Sequence, residues 1–122
     1  MDIEHVDTFF KESRRVLKKD GKLVFTIVHP CFFHAPWEKD SDGNKLYKKL
    51  DNYWEQSTIT LDFWGPTTHY HRPITWYSQI LKRNGFAITQ LKENPDDLVN
   101  FSAIKPHQRR IPLFLCFECC PI

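Results

Sequence analysis

The sequence predicts an α/β domain, and three observations carry that expectation. A one-sided helical stretch near residues 5–17 leads through a lysine-rich turn into an apolar run, Leu23–Val28. A second helix-then-strand pair follows, with helical periodicity over 73–84 and strand composition over 86–91. A final apolar run, 111–120, closes the pattern. Helices alternating with short apolar strands describe a sheet packed against helices.

The first helix is read from Val6, Phe9, Phe10, Ser13, Val16 and Leu17, which share one face and are interrupted only by the serine. Asp2 is the expected N-cap, Lys18 and Lys19 suit the negative end of the helix dipole, and Gly21 is expected to close the helix in a left-handed conformation. Leu23–Val28 is apolar apart from Thr26, which predicts a strand covered on both faces. The connection from His29 to Arg72 has a loop tip at Asp40-Ser41-Asp42-Gly43-Asn44 and carries Phe32, Phe33, Trp37, Tyr47, Tyr53, Trp54, Phe63, Trp64 and Tyr70. So many aromatics suggest a cap or lid packing as its own layer, or a second small core. Within it Thr58–Phe63 reads as a short strand, paired with residues near 47–54.

Pro73 opens the second helix, with Thr75 as its cap, Tyr77, Ile80 and Leu81 as its buried face, and Gly85 as its end. Residues 92–108 read as an irregular loop. The last strand, 111–120, is apolar on both faces except at Glu118. There are no internal repeats.

With 122 residues the chain is one domain, 1–122, in which 29–72 is the cap. Its 41% apolar and 26% charged residues argue against disorder. The net charge of +2 comes as short basic pairs rather than a stripe, so nucleic acid is not an expected partner. No apolar run reaches the ~20 residues of a membrane span, and the amino terminus is not signal-like, which predicts a cytoplasmic protein. Cys116 and Cys119 have C-x-x-C spacing but lack a second close pair of ligands and a strand-to-helix setting. They are expected to be reduced, as are Cys31 and Cys120, and no metal site is expected, although His29, Cys31 and His34 could be drawn as ligands on one loop.

Further residues sharpen the picture. Arg15-Val16-Leu17-Lys18, Gly21 and Lys22-Leu23 lead into the first strand, and His29-Pro30-Cys31-Phe32 leaves it. His71-Arg72-Pro73-Ile74-Thr75 opens the second helix, Asn84-Gly85-Phe86 ends it, and Arg110-Ile111-Pro112 leads the final strand. In this order and spacing the chain resembles the class I S-adenosylmethionine-dependent methyltransferases, in a small-molecule subfamily, from just before the fifth strand of their sheet onward. Asp20 departs from the family pattern by standing where a first glycine is common.

The resemblance implies the carboxyl-terminal part of a Rossmann-like sheet: three strands, the last one antiparallel and central, with flanking helices and the cap insertion. It also implies S-adenosylmethionine for the intact family. In that family the cofactor rests on a Gly-rich loop in the other half of the sheet. Here Gly21, Gly43, Gly65 and Gly85 are all isolated, so no cofactor is expected to bind this chain alone.

His29, just beyond the carboxyl end of a strand, is the candidate catalytic residue, because an imidazole can take a proton as a nucleophile is methylated. Its alternative role is to fix the chain's exit from the strand. His71, Arg72 and Tyr77 are candidate substrate-binding residues. Arg72 could grip a carboxylate or serve a structural salt bridge, and Tyr77 could equally be core. Arg110 is expected to position the last strand. The functional expectation is a partial methyltransferase inactive alone, with two alternatives: a half-enzyme completed by a partner chain, or an acceptor-binding or interaction module. A small-molecule acceptor is the expected ligand. The outer edge of 22–28 is expected to pair with a second copy or a complementing chain.

Overall fold

The computed structural model describes residues 1–62, 64–93 and 111–122. In chain order these form α1 (Val6–Val16), β1 (Leu23–Val28), β2 (Trp37–Lys39), β3 (Lys45–Lys48), β4 (Ser57–Asp62), β5 (Pro66–His71), α2 (Ile74–Arg83), β6 (Phe86–Lys92) and β7 (Phe114–Pro121). The main sheet has the order β1-β7-β6, and β7 runs antiparallel to both neighbours.

Register decides which side chains meet. Leu23, Phe25 and Ile27 of β1 lie opposite Cys119, Phe117 and Leu115 of β7, all on one face. Both helices pack there. Val6 and Phe10 from α1, and Tyr77, Ile80 and Leu81 from α2, join that face and Phe86 in a single buried cluster. The Phe25 and Phe117 rings stack at 4.9 Å, and Phe10 meets Phe25 at 5.2 Å. The helices are tied to each other where Asn84 Nδ2 donates to Asp7 Oδ1 at 2.8 Å.

Several local expectations are corrected. Asp2 does not cap α1; His5 holds the N-cap position, and Asp2 accepts a hydrogen bond from His69 instead. The helix stops at Val16, with Arg14 and Arg15 in its last turn in place of the later lysines. Gly21 has no left-handed φ, because Leu17 is already extended and ends the helix itself. Glycine is needed there for space: an added Cβ would lie 2.8 Å from Leu17 Cγ. Pro73, not Thr75, holds the N-cap position of α2, since Thr75 already lies in its first turn. Gly85 does take the left-handed conformation, φ +76°, that ends α2 and turns the chain into β6.

β1 is also not covered on both faces. Ile27 is buried, but Thr26 is exposed and Val24 is 58% exposed, because no helix among the described residues lies over that second face. The last strand begins at Phe114 rather than residue 111, and β6 bulges between Ile88 and Gln90.

Between β1 and α2 the chain makes two hairpins. β2 pairs with β3, while β4 pairs with β5 through the turn at Gly65 rather than with residues 47–54. Among the described residues the aromatics of this segment do not gather into a second buried core: Tyr47, Trp54 and Trp64 are exposed, and the buried cluster draws nothing from them. Phe63, Arg110 and all but the first residues of the loop expected over 92–108 lie outside the described residues.

Candidate functional site

The site is built where β1 ends. His29 N–H bonds to Leu113 O at 2.8 Å, and the His29 carbonyl accepts from Phe32 and Phe33, so the chain turns sharply through Pro30. Pro30 has no N–H to lose in such a turn. Lys48 Nζ from β3 donates to the Phe32 carbonyl at 2.6 Å and clamps the first hairpin onto the turn.

Beyond the turn lies a cavity of about 380 Å³ whose lining includes Cys31, His34, Tyr53, Ile59 and His71. Tyr53 organises it. Its main-chain carbonyl accepts from His71 Nε2 at 2.8 Å, and its hydroxyl accepts the Ile74 N–H at 2.9 Å. The hydroxyl thereby serves one of the free amides at the start of α2, where Pro73 supplies no side-chain cap. The same hydroxyl reaches the Cys31 thiol, whose pKa is raised, chiefly by burial. Burial is also the main reason the Tyr53 hydroxyl stays protonated above its ordinary range.

The bond to a carbonyl fixes the His71 tautomer, since a carbonyl oxygen can only accept. In the neutral ring Nε2 carries the proton and Nδ1 presents a lone pair, with no hydrogen-bond partner among the described residues. His34 stands across the cavity lining, its ring 4.4 Å from that of His69. Its Nε2 is enclosed and unbonded. Burial, joined by repulsion from any proton gained by the neighbouring His69, terminal amine, His71 and Lys48, pushes His34 down to about 4. His34 therefore lines the wall as a neutral imidazole near pH 7.

The expected site residues divide. His29 does sit past the carboxyl end of β1, but its ring is 1% exposed. Nδ1 accepts the Cys31 N–H at 3.2 Å and Nε2–H donates to Glu93 Oε1 at 2.9 Å, so neither nitrogen faces the cavity unoccupied. Arg72 is buried between the Tyr70 and Trp76 rings, 5.1 and 4.9 Å from their centres, and donates through Nη2 to the Glu4 carbonyl at 2.9 Å. No carboxylate among the described residues pairs with it, and its Nη1 is enclosed without a hydrogen-bond acceptor. Tyr77 is a core residue, 1% exposed. Only His71 of the four lines the cavity. Sequence reasoning missed Tyr53, Cys31 and His34 as a group with His71. The signal available was the clustering of aromatic and histidine residues between 29 and 72.

The glycines do not build a cofactor cradle. Gly43, Gly65 and Gly85 occupy turns with positive φ, and Gly21 packs on Leu17. The described residues thus offer no Gly-rich loop against which a nucleotide could rest. Nor do they include a cluster of His, Cys, Asp and Glu able to hold a metal ion, and none of their helices is long and apolar enough to cross a membrane. All four cysteines are unbridged.

No protein-family model matches the chain, and no curated protein does. Solved structures do. A Listeria monocytogenes protein assigned to the S-adenosylmethionine-dependent methyltransferases superposes with a TM-score of 0.79 at 30% identity, over 99% of this chain and 56% of its own. An S-adenosylmethionine-dependent methyltransferase from Mesorhizobium loti has the same fold, with a TM-score of 0.82 at 24% identity, over 98% of this chain and 57% of its own. The chain spans little more than half the length of either. Over nearly its whole length it has the fold of one part of an S-adenosylmethionine-dependent methyltransferase.

Proposed function

We propose that this chain is the acceptor-binding part of a methyltransferase, with residues 29–72 forming the cap over the acceptor. The observation that carries the reading is the cavity beyond the end of β1, lined by an imidazole with a fixed tautomer and an unpartnered Nδ1. Its volume of about 380 Å³ suits a small molecule. A hydroxyl or amine seated there gives its proton to His71 Nδ1 as it becomes methylated, while Ile59 and the prolines hold its apolar part. His29 contributes by position: it fixes the turn that places Cys31 and carries the Glu93 carboxylate on its outer nitrogen. The methyl donor belongs to the part of the fold this chain does not span, and the chain alone is inactive. A second reading, an interaction module without chemistry, is favoured by the exposed Trp54 and Trp64 rings.

Ring-proton and nitrogen NMR tests the first reading. Small phenols, alcohols and amines added to the chain are expected to shift His71, His34 and Tyr53 together, and S-adenosylmethionine alone to shift none of them. Ligands that move only Trp54 and Trp64 would favour the module. A stoichiometric complex with S-adenosylmethionine alone would refute the division of roles.

A further inference from the structure

The first hairpin carries a second cavity whose chemistry differs from that of the acceptor cavity. Pairing of β2 with β3 sets Trp37 directly opposite Lys48, so their side chains lie beside each other on one face of the hairpin. Lys48 Nζ lies 5.3 Å from the centre of the indole, and Lys45 Nζ lies 5.6 Å from it. Phe33 and Pro36 come from the segment between β1 and β2, and Leu113 from the approach to β7. With Ala35 these residues line a cavity of about 280 Å³.

Lys48 is half-buried in that lining. An ammonium has three N–H bonds to place. Two of them donate to the Phe32 and Phe33 carbonyls at 2.6 and 3.3 Å, and the third has no acceptor among the described residues. No carboxylate among the described residues pairs with Lys48 or lines the cavity. Burial, joined by the charge of Lys45, lowers the Lys48 pKa. A half-buried charge beside a like charge is costly until an opposite charge meets it. The rest of the wall, Phe33, Pro36 and Leu113, is apolar. The face of an indole is negative and repels an anion, so an anion belongs at the ammonium groups and an apolar body against that wall.

We propose that this cavity binds a small organic carboxylate with a compact apolar body. The carboxylate takes the third N–H of Lys48 and lies beside Lys45, while the body packs on Phe33, Pro36 and Leu113. An inorganic anion would meet the lysines and leave the apolar wall in water; a neutral apolar molecule would cover the wall and leave the charge unmet. The site is not the acceptor cavity. Ala35 and Pro36 line both, but Cys31, Tyr53 and His71 line only the other. A ligand held here touches the hairpin, the segment after β1 and the segment entering β7 at once, and so fastens the cap to the sheet.

The test titrates benzoate, benzyl alcohol and inorganic phosphate into the full chain at pH 7, following the Trp37 indole N–H and the Lys48 side chain by NMR. Benzoate is expected to move both signals to saturation at one site per chain. Benzyl alcohol, which has the ring without the charge, and phosphate, which has the charge without the ring, are expected to leave them in place at the same concentration. Lys48→Met is expected to weaken benzoate by about tenfold or more. Lys45→Met, which keeps the Lys48 bonds to the two carbonyls, is expected to weaken it several-fold. Lys82→Met makes the same charge change on α2 and is expected to leave the affinity unchanged. No saturable benzoate binding, equal shifts from benzyl alcohol or phosphate, an unaltered affinity in Lys45→Met, or benzoate shifts at His71 and Tyr53 in place of Trp37 would each overturn the proposal. Should Lys48→Met fail to fold, Lys45→Met and the two control ligands still decide. The His71 signals report the acceptor cavity separately, so failure here leaves that reading standing.

Discussion

Tyr53→Phe removes one oxygen atom and keeps the ring. The lost hydroxyl accepts the Ile74 N–H at 2.9 Å and meets the Cys31 thiol, while the bond to His71 uses the Tyr53 main chain and survives. Loss of a helix N-terminal acceptor costs roughly 1 kcal/mol, and an amide left fully buried without a partner costs up to about 3 kcal/mol. Ile74 is half-buried, and water can replace part of the interaction, so about 1 kcal/mol is expected. For a chain of 122 residues that corresponds to a fall in melting temperature of about 3–6 °C. The hydroxyl also holds the Cys31 pKa down against burial, so its removal raises that pKa and slows alkylation of Cys31 at fixed pH. Thermal denaturation by circular dichroism, with iodoacetamide labelling and nitrogen NMR of the histidine rings, reads all three consequences. An unchanged melting temperature would refute the capping role. A His71 tautomer that switches in Tyr53→Phe would refute the assignment of that bond to the main chain.

Acid should destabilise the fold. His34 titrates near 4 when folded against an ordinary value of 6.5, and burial also lowers His69, so the unfolded chain binds protons that the folded chain refuses. Stability is full above about pH 6.5 and is lost as pH falls through the folded pKa near 4, by about 1–2 kcal/mol after solvent screening. Urea titrations at pH 7.5, 5.5 and 4.5 check this, with His34→Asn flattening the profile; a flat wild-type profile would contradict it. Gly85→Ala should cost about 1–2 kcal/mol, because φ is +76° and the new Cβ would sit 3.3 Å from Arg14 Nε. Gly43→Ala, at φ +83° with nothing within 4 Å, is its control and should cost only the backbone part. Equal melting temperatures for the two variants would remove Arg14 from the account.

The buried face of α2 was legible in the sequence because it depends on local spacing, whereas in α1 only Val6 and Phe10 are buried and Phe9 and Val16 of the expected face are exposed. Tyr77, Ile80 and Leu81 are buried where periodicity places them, and Gly85 ends α2 by the conformation its position requires. The site was legible only in outline. That a cavity lies past the end of β1 follows from strand direction, but Tyr53 reaches His71 across 18 residues and Ile74 across 21. No periodicity encodes a contact made by a loop carbonyl. Asp2 shows the same limit from the other side. A short acidic residue before a helix is a good cap locally, yet His69, 67 residues away, offers it a partner that the local pattern could not reveal.

β1 is the instructive mismatch. Its sequence, LVFTIV, has the composition of a strand with apolar surroundings on both faces, whereas the described residues cover only the side of Phe25 and Ile27. Helix packing explains that half of the pattern and cannot explain Val24, which stands exposed on the other face, beside an edge with which no described strand pairs. Apolar residues exposed singly need no explanation, but apolar residues aligned along an unpaired strand edge do. The cavity lined by His71 and Tyr53 lies just past the end of the same strand.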